Sequence, residues 1–384
     1  MIHDLRNLSP ASQPASLPAM LRPTFEDIVA AREFIAPYLP KTPLVRVAKI
    51  SEELGCDYYA KLENLQPVGA FKVRGGVNLV GTACGRDPQR GIPAGVAASG
   101  RVDLTTNASK QATLITASTG NHGQSIAYAG RLFDTRVIIY APAENVNESK
   151  MQAMRELGAE VRLYGRDFDE ARLECERVAR EEGFCYVHSA NEPKLIAGVG
   201  TIGLEIFEDL PDVDVIIAPA GGGSCASGSC IVANKINPRV RVIAVQSEAA
   251  PAMWHAWRNR TLDPYPTMKT EHEGLATRVP FELTNKILWE LLDDFILVTD
   301  EEINEAIRLL ARHAKQVAEG AGAASLAAAI KLRGTSATNR GPRADNPRAV
   351  VAREGLHGKK VVGILTGGNI SLERFARLMT HAGQ

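Results

Sequence analysis

The stretch LENLQPVGAFKVRGG, residues 62–76, places one lysine, Lys72, between a turn and a pair of glycines. Pro67 and Gly69 are typical turn residues, because proline fixes φ and glycine tolerates positive φ. A lysine is by default a solvated surface charge. Lys72 therefore becomes a candidate functional residue only if other parts of the chain supply groups that need a reactive amine.

The composition predicts a globular protein without an electrostatic bias toward charged macromolecules. The 384 residues are 45% hydrophobic and 23% charged, and 44 lysines and arginines balance 44 aspartates and glutamates. Such a chain has no long-range basic field that would attract nucleic acid or an anionic membrane. The length fits about two to three domains or one large α/β unit. We therefore expect a small neutral or zwitterionic ligand.

Signals for export, membrane insertion and metal binding are missing from the sequence. Residues 1–23 contain serine and proline but no continuous apolar core, and no window approaches the roughly 18 apolar residues of a membrane span. The six cysteines lack Cys-x-x-Cys or paired Cys/His spacing. We expect a loose N-terminal arm over 1–23, a reducing cytoplasmic location, no disulfides and no zinc site.

Short apolar strands alternate with longer helical stretches from Leu114 onward. The strands LITA, TRVIIYA, EVRLY and CYVH are separated by helical segments, and a second series contains the strands VDVIIAPA, VRVIAVQS and KKVVGIL. This alternation predicts right-handed βαβ crossovers and parallel sheets. We therefore expect an α/β fold with two open twisted sheets flanked by helices.

Capping boxes and low-periodicity segments mark further boundaries. Thr24 with Asp27, and Thr299 with Glu302, have the spacing that begins a helix. Residues 84–110 and 334–355 are rich in glycine, proline, serine, asparagine and arginine. These two segments are predicted to be surface insertions, with a lid or an oligomer contact as the alternative.

The glycine-rich loop APAGGGSCASG, residues 218–228, ends a predicted strand and begins a helix. The amides of four consecutive residues can converge there on an anion, beside the positive end of the helix: Gly221, Gly222, Gly223 and Ser224. The spacing is neither Gly-x-Gly-x-x-Gly nor a Gly-Lys-Ser/Thr loop, which argues against a dinucleotide or a nucleoside triphosphate. A plain tight turn remains the alternative, although consecutive glycines lose much backbone entropy on folding.

Two other loops follow predicted strands and carry polar groups. ASTGNHGQS, residues 117–125, offers groups suited to a carboxylate, although each alone is more often a cap or turn residue: Ser118, Thr119, Gly120, Asn121 and His122. LTGGNIS, residues 365–371, carries the hydroxyl of Thr366 directly after the apolar run. Ligands of open α/β sheets bind at the carboxyl ends of strands, so we expect the three loops to share one crevice.

A ligand of that crevice needs a phosphate, a carboxylate nearby and a group that reacts with an amine. Pyridoxal phosphate attached to Lys72, with an amino acid as substrate, meets these requirements. The opening lysine thereby acquires a predicted role.

Five motifs in order resemble one enzyme family: ENLQPVGAFKVRGG, ASTGNHGQS, APAGGGSCASG, VAEGAGAASLAA and LTGGNIS. They are similar to those of the fold type II pyridoxal-phosphate enzymes, specifically the threonine/serine dehydratase group, whose fold resembles the tryptophan synthase β subunit. The resemblance implies a large cofactor-binding domain (24–75 and 190–384) with a small substrate-carboxylate domain (76–189) inserted. It also implies a homodimer or homotetramer.

The resemblance assigns roles to individual positions. Lys72 corresponds to the Schiff-base lysine, Asn121 to the donor to the cofactor's phenolic oxygen, and Thr366 to the hydroxyl at the pyridine nitrogen. Phe71, Gly274 and Glu319 match positions close to the cofactor, and the glycine loop matches the phosphate site. Ser118, Thr119, Gly120, Asn121 and His122 match the substrate carboxylate pocket. The implied reaction is β-elimination from L-threonine or L-serine, which yields a 2-oxo acid and ammonia.

The sequence departs from the dehydratase pattern at several positions and leaves alternatives open. Ala70 replaces a common serine, and Ser224 and Cys225 alter the phosphate loop. Thr119 stands where serine racemases have the serine that acts as second acid/base, which disfavours racemisation. Gln246 replaces a metal-ligating glutamate, so no metal site is assigned. The short stretch after LTGGNIS predicts no C-terminal regulatory domain.

Three alternatives to the dehydratase remain. One is elimination from a specialised hydroxylated amino acid, and another is a threonine synthase-like replacement, although FKVRG lacks that enzyme's Lys-Asp-Arg-Gly pattern. A non-catalytic amino-acid- or cofactor-binding relative is the third, and the retained Lys72 argues against it. A nicotinamide oxidoreductase is disfavoured because neither glycine loop has the dinucleotide spacing.

Overall fold

In the part of the chain that the structure describes, two β-sheets form the framework, one of six strands and one of four. The computed structural model describes residues 22–83, 113–144, 147–333 and 355–380. The predicted arm, apart from its last two residues, and both predicted insertions, apart from residue 355, lie outside the described residues. Among the described helices, none combines the length and apolarity needed to cross a membrane.

The strands are short and the helices flank them. The strands are β1 (Leu44–Arg46), β2 (Asp57–Leu62), β3 (Leu114–Ala117), β4 (Val137–Ala141), β5 (Glu160–Leu163), β6 (Cys185–Tyr186), β7 (Val215–Pro219), β8 (Arg241–Ser247), β9 (Asp294–Val298) and β10 (Lys360–Leu365). The helices are α1 (Phe25–Ile35), α2 (Ala48–Leu54), α3 (Val73–Ala83), α4 (Asn121–Leu132), α5 (Glu148–Glu156), α6 (Phe168–Glu182), α7 (Pro193–Asp209), α8 (Ser224–Ile236), α9 (Ala252–Asn259), α10 (Glu282–Leu291), α11 (Asp300–Leu309), α12 (Gly320–Arg333) and α13 (Leu372–Thr380).

The strand orders confirm the predicted two-sheet α/β architecture. The six-stranded sheet has the order β1-β2-β10-β7-β8-β9, in which only the β1–β2 pair is antiparallel. The four-stranded sheet has the order β5-β4-β3-β6 and is parallel throughout. Its strands all lie between residues 114 and 186, inside the predicted small domain. The division of the chain into two domains stays a prediction.

Strand β7 shows why its sequence is apolar at every position. Ile216 and Ala218 pack into one hydrophobic cluster with α7 and α8, while Val215 and Ile217 pack into another with α11 and α12. A parallel strand covered by helices on both faces has no solvated side. Hydrophobic core therefore covers both faces of the six-stranded sheet. Polar groups that could bind a ligand are confined to the loops at the strand ends.

Both predicted capping boxes are present, but one helix is shorter than its pattern. The Thr24 and Thr299 hydroxyls accept hydrogen bonds from the amides of Asp27 and Glu302. The helical pattern that starts at Thr299 runs on toward residue 320, yet α11 ends at Leu309. A π-helical turn, Leu310–Ala314, follows and redirects the chain toward residue 319.

The glycine pair after Lys72 permits close helix packing. A Cβ on Gly75 would lie 2.8 Å from the Leu195 carbonyl oxygen of α7, and one on Gly76 would lie 2.7 Å from the Ser125 carbonyl oxygen of α4. Both distances are too short for a real Cβ, so each position requires glycine. The start of α3 is thereby wedged against a helix from each of the two sheets.

Four charged side chains that are almost completely buried fix the same segment: Lys61, Glu63, Arg74 and Glu205, here called the buried ionic cluster. The Arg74 guanidinium donates to both carboxylates at 2.7–2.8 Å. The Lys61 ammonium donates to Glu205 at 2.7 Å and to the Thr42 carbonyl oxygen at 2.6 Å. Two positive and two negative groups thus neutralise one another, and they join β2, α3 and α7.

We predict that Arg74→Met destabilises the protein by about 3–5 kcal/mol, because it removes the cation that is hydrogen-bonded to both buried carboxylates. Urea denaturation of the purified variant measures this loss. Arg46→Met is the matched control, since Arg46 forms a solvent-exposed ion pair with Asp57 on the same sheet. Equal stability of the two variants would contradict the importance given to the buried ionic cluster.

Candidate active site

The three polar loops predicted to bind ligand all begin where a strand ends. They follow Ala117 of β3, Pro219 of β7 and Leu365 of β10, and β7 and β10 are neighbours in the six-stranded sheet. Two hydrogen bonds join the β3 loop and its helix to the other sheet: Ser125 Oγ donates to the Lys72 carbonyl oxygen at 2.6 Å, and Asn121 Nδ2 donates to Glu319 Oε1 at 2.5 Å. A third, from Asn369 to Asn121, joins the β10 loop to the β3 loop, so the strand ends lie together around the region called the crevice below.

Lys72 lies immediately before α3, with its half-buried side chain 5.5 Å from the Phe71 ring centroid. The Phe71 amide donates to the Thr366 carbonyl oxygen at 2.9 Å, which ties the lysine loop to the end of β10. Burial lowers the pKa of Lys72 to about 8. A substantial fraction of the amine is neutral near physiological pH, so it can act as a nucleophile or a base.

The glycine loop is shaped to hold an anion at the start of α8. Gly223 has φ +84°, and no side chain caps the helix there. A Cβ on Gly223 would lie 2.8 Å from Met253 Cε, and one on Gly221 would overlap the Gly274 carbonyl oxygen. The first amides of α8 have no carbonyl partner in the helix, so they are available to a phosphate.

The Ser118 side chain, predicted to bind substrate, forms hydrogen bonds within the β3 loop and α4. Ser118 Oγ accepts hydrogen bonds from the Gly120 amide at 3.2 Å and the Gly123 amide at 2.9 Å. The amides of Asn121 and His122, the first residues of α4, have no carbonyl partner within the helix. A carboxylate is therefore better served by these amides than by the Ser118 hydroxyl.

The His122 ring is held by a hydrogen bond to Thr116 of β3. Thr116 Oγ1 donates to the Val187 carbonyl oxygen at 2.8 Å, so its 3.0 Å contact with His122 Nε2 must be donated by the histidine. Burial, with the nearby Lys72 and His188 charges, lowers the His122 pKa well below 6.5. The ring is neutral and structural, so only the main chain of His122 remains for substrate.

Thr366 provides an unpaired polar atom in the crevice. Its side chain is buried, and its hydroxyl has no hydrogen-bond partner within the described residues. A buried hydroxyl without a partner is costly unless a ligand supplies one. The pyridine nitrogen of pyridoxal phosphate would be a suitable acceptor for this hydroxyl.

Gly274 and Glu319 also lie at the crevice. Gly274 is next to Gly221 and follows Glu273, whose carboxylate pairs with Lys150 at 2.5 Å. Glu319 is buried, which raises the pKa of its carboxyl group. Its amide donates to the Gly367 carbonyl oxygen at 3.0 Å.

Together, these groups fit pyridoxal phosphate. They offer an amine, an anion cradle, an unpaired hydroxyl and a side-chain amide, each on a rigid strand end or helix start. No cluster of three or more histidine, cysteine, aspartate or glutamate ligands occurs in the described ranges. At Gln246, the position of the replaced glutamate, the side-chain oxygen accepts the Met253 and Trp254 amides and so caps α9.

Comparison with known proteins decides the family. Residues 35–343 match the family described as pyridoxal-phosphate dependent enzyme. The chain belongs to the pyridoxal-phosphate-dependent enzyme family.

Similar members of this family include lyases and a racemase. The L-threonine ammonia-lyase of Thermotoga maritima is 35% identical over 93% of this chain and 78% of its own length. The catabolic L-threonine dehydratase of Staphylococcus aureus is 33% identical over 92% and 91%. The structure of maize serine racemase has a TM-score of 0.76 at 26% identity, covering 94% of this chain and 99% of that one.

Some residues of this pyridoxal-phosphate enzyme's site were not identified from sequence. Ser125 and Asn369 stood in recognised motifs, but nothing in the sequence indicated what they contact. Lys150 and His188 carried no sequence signal, because their neighbours come from distant segments. Burial lowers the pKa of His188 to about 4, and its Nδ1 accepts the Ala190 and Asn191 amides.

We predict that Gly223→Ala weakens pyridoxal-phosphate binding about tenfold or more, because the new Cβ meets Met253 and Thr284 and displaces the start of α8. Titration of cofactor-free protein with pyridoxal phosphate, followed by absorbance, measures the affinity. Gly183→Ala is the control: its φ of +69° is similarly unfavourable for alanine, but nothing lies within 4 Å of the added Cβ. Equal cofactor affinity in both variants would refute the assignment of the loop.

Proposed function

We propose that this pyridoxal-phosphate enzyme is an ammonia-lyase that converts L-threonine or L-serine to a 2-oxo acid and ammonia. The observation that carries the proposal is the buried, unpartnered hydroxyl of Thr366. A neutral hydroxyl at the pyridine nitrogen cannot hold that nitrogen protonated as a carboxylate would. A moderate electron sink favours prompt β-elimination over transamination.

Each residue of the crevice has a part in this reaction. The Lys72 amine would hold the cofactor covalently, the amides of 221–224 would bind its phosphate, and Asn121 would donate to its phenolic oxygen. When bound, the cofactor supplies the electron sink that makes the substrate Cα–H acidic. Lys72, with its lowered pKa, is suited to take the proton from Cα once the substrate has displaced it.

The substrate carboxylate is proposed to bind at the start of α4. The main-chain amides of Asn121 and His122 and the Thr119 hydroxyl are the groups available there. Lys150 adds positive charge, since a Cβ on Gly120 would lie 3.8 Å from its ammonium nitrogen. Glu273 pairs with the same ammonium at 2.5 Å, so the substrate carboxylate would share this cation with Glu273.

The similar threonine ammonia-lyase and threonine dehydratase support threonine as the first substrate to test. From family resemblance we also propose the two-domain division 24–75 with 190–384 and 76–189. The same resemblance supports a homodimer or homotetramer. We also propose a cytoplasmic location, which the lack of paired cysteine spacing supports.

The deciding experiment measures 2-oxo acid release from L-threonine and from L-serine by the purified protein with pyridoxal phosphate. We expect turnover of at least one substrate and a loss of about 1,000-fold or more in Lys72→Ala, which lacks the base. Lys49→Ala, a change at an exposed lysine, is the control. Racemisation of serine without 2-oxo acid, or no reaction with either substrate, would reject the proposal.

A further inference from the structure

The Asn121 amide can serve the proposed function only if its nitrogen, not its oxygen, is directed to the cofactor's phenolic oxygen. The two ends of a side-chain amide have nearly the same shape, so packing alone does not decide between them. Hydrogen-bond partners must therefore fix the orientation. The inference below rests on the cofactor-binding role given to Asn121 above.

The orientation is set by a main-chain carbonyl through a second asparagine. Asn369 Nδ2 donates to the Val68 carbonyl oxygen at 2.9 Å and to Asn121 Oδ1 at 2.8 Å. A carbonyl oxygen only accepts, so the Asn369 nitrogen must face Val68. The second N–H of Asn369 then requires an acceptor, and Asn121 must present its oxygen.

The opposite side of Asn121 is consistent with this orientation. With its oxygen directed to Asn369, Asn121 presents its nitrogen to Glu319 Oε1, at 2.5 Å. A carboxyl group offers an acceptor oxygen whether or not it carries a proton. One N–H of Asn121 is thus taken by Glu319, and the other remains.

Asn369 itself is held by the segment that carries Lys72. Gly69 has φ +67°, and a Cβ there would lie 2.5 Å from Asn369 Oδ1, so only glycine admits this side chain. The Gly368 amide donates to the Gly69 carbonyl oxygen at 2.9 Å. The turn before Lys72 and the loop after β10 therefore form one rigid frame around Asn369.

We propose that Asn369 is a positioning residue: anchored on the Val68 carbonyl, it fixes the Asn121 amide so that one N–H is free for the cofactor's phenolic oxygen. It acts across the two sheets, since Asn369 follows β10 and Asn121 begins α4. Gly69, Asn369 and Asn121 thus act together to orient the Asn121 amide.

The substitution Asn369→Asp tests this proposal with almost no change in shape. A carboxylate offers only acceptors, so it repels both the Val68 carbonyl and Asn121 Oδ1. Asn121 regains a partner only by rotating its amide, which turns its oxygen toward Glu319 and the cofactor. The phenolic oxygen then loses its donor.

Asn64→Asp is a matched control in the same region. Asn64 Nδ2 likewise donates to a side-chain amide oxygen, that of Gln316 at 2.9 Å, and to a main-chain carbonyl, that of Val317 at 3.3 Å. Both substitutions therefore break the same kinds of hydrogen bond. Only the one at position 369 alters Asn121.

Two measurements on each variant separate positioning from stability: thermal unfolding of the cofactor-free protein, and the pH midpoint of the bound cofactor's visible absorption band. We expect both variants to lose stability. Only Asn369→Asp should raise the midpoint, by about one pH unit, because a hydrogen bond to the phenolate is lost. An unchanged midpoint, or an equal shift in Asn64→Asp, would overturn the proposal.

A double variant sharpens the test. Adding Glu319→Gln to Asn369→Asp gives the rotated Asn121 oxygen a hydrogen-bond donor. The double variant should therefore regain part of the stability that Asn369→Asp lost. Its absorption midpoint should still differ from the midpoint of the Glu319→Gln single variant. If the midpoint returned as well, Asn369 would have only a structural role. The absorption readout requires bound cofactor and the unfolding readout does not, but neither requires turnover, so they stay decisive even if threonine and serine are not substrates.

Discussion

The position of the reactive lysine depends on the buried ionic cluster of Lys61, Glu63, Arg74 and Glu205. Removing four charges from water is expensive, and such a cluster is stable only when every group is neutralised and hydrogen-bonded. Arg74 meets this condition with bidentate contacts to two carboxylates. Because Arg74 is two residues after Lys72, the same contacts fix where the lysine backbone lies.

Close helix packing also fixes the position of the segment that carries Lys72. Gly75 and Gly76 let α3 approach α7 and α4 to distances that a Cβ would forbid. The Ser125 hydroxyl then reaches the Lys72 carbonyl oxygen. A reactive amine is therefore held on a rigid element with little freedom, as catalysis by positioned groups requires. In the proposed site, the six-stranded sheet carries the glycine loop and Thr366 at its strand ends, and the four-stranded sheet carries the β3 loop with Asn121.

Local patterns in the sequence were enough to predict the fold class and the loops. Apolar runs such as VDVIIAPA lie on strands buried on both faces, and the polar residues after them fall at the crevice. Contacts between distant segments could not be predicted. In the sequence, Lys61 and Glu205 resemble ordinary surface charges, but in the structure they form a buried hydrogen bond with each other. Even local side-chain contacts were not evident from the sequence: Ser118 Oγ accepts the Gly123 amide, and His122 Nε2 contacts Thr116 of β3.

We propose that these loops together form one pyridoxal-phosphate site centred on Lys72. Its most direct test is to reduce the cofactor-loaded protein with borohydride, which makes the lysine linkage permanent, and to locate the label by peptide mass spectrometry. We expect one labelled position, Lys72. A label on another lysine, such as Lys150, or no covalent label in a protein that binds the cofactor, would contradict it.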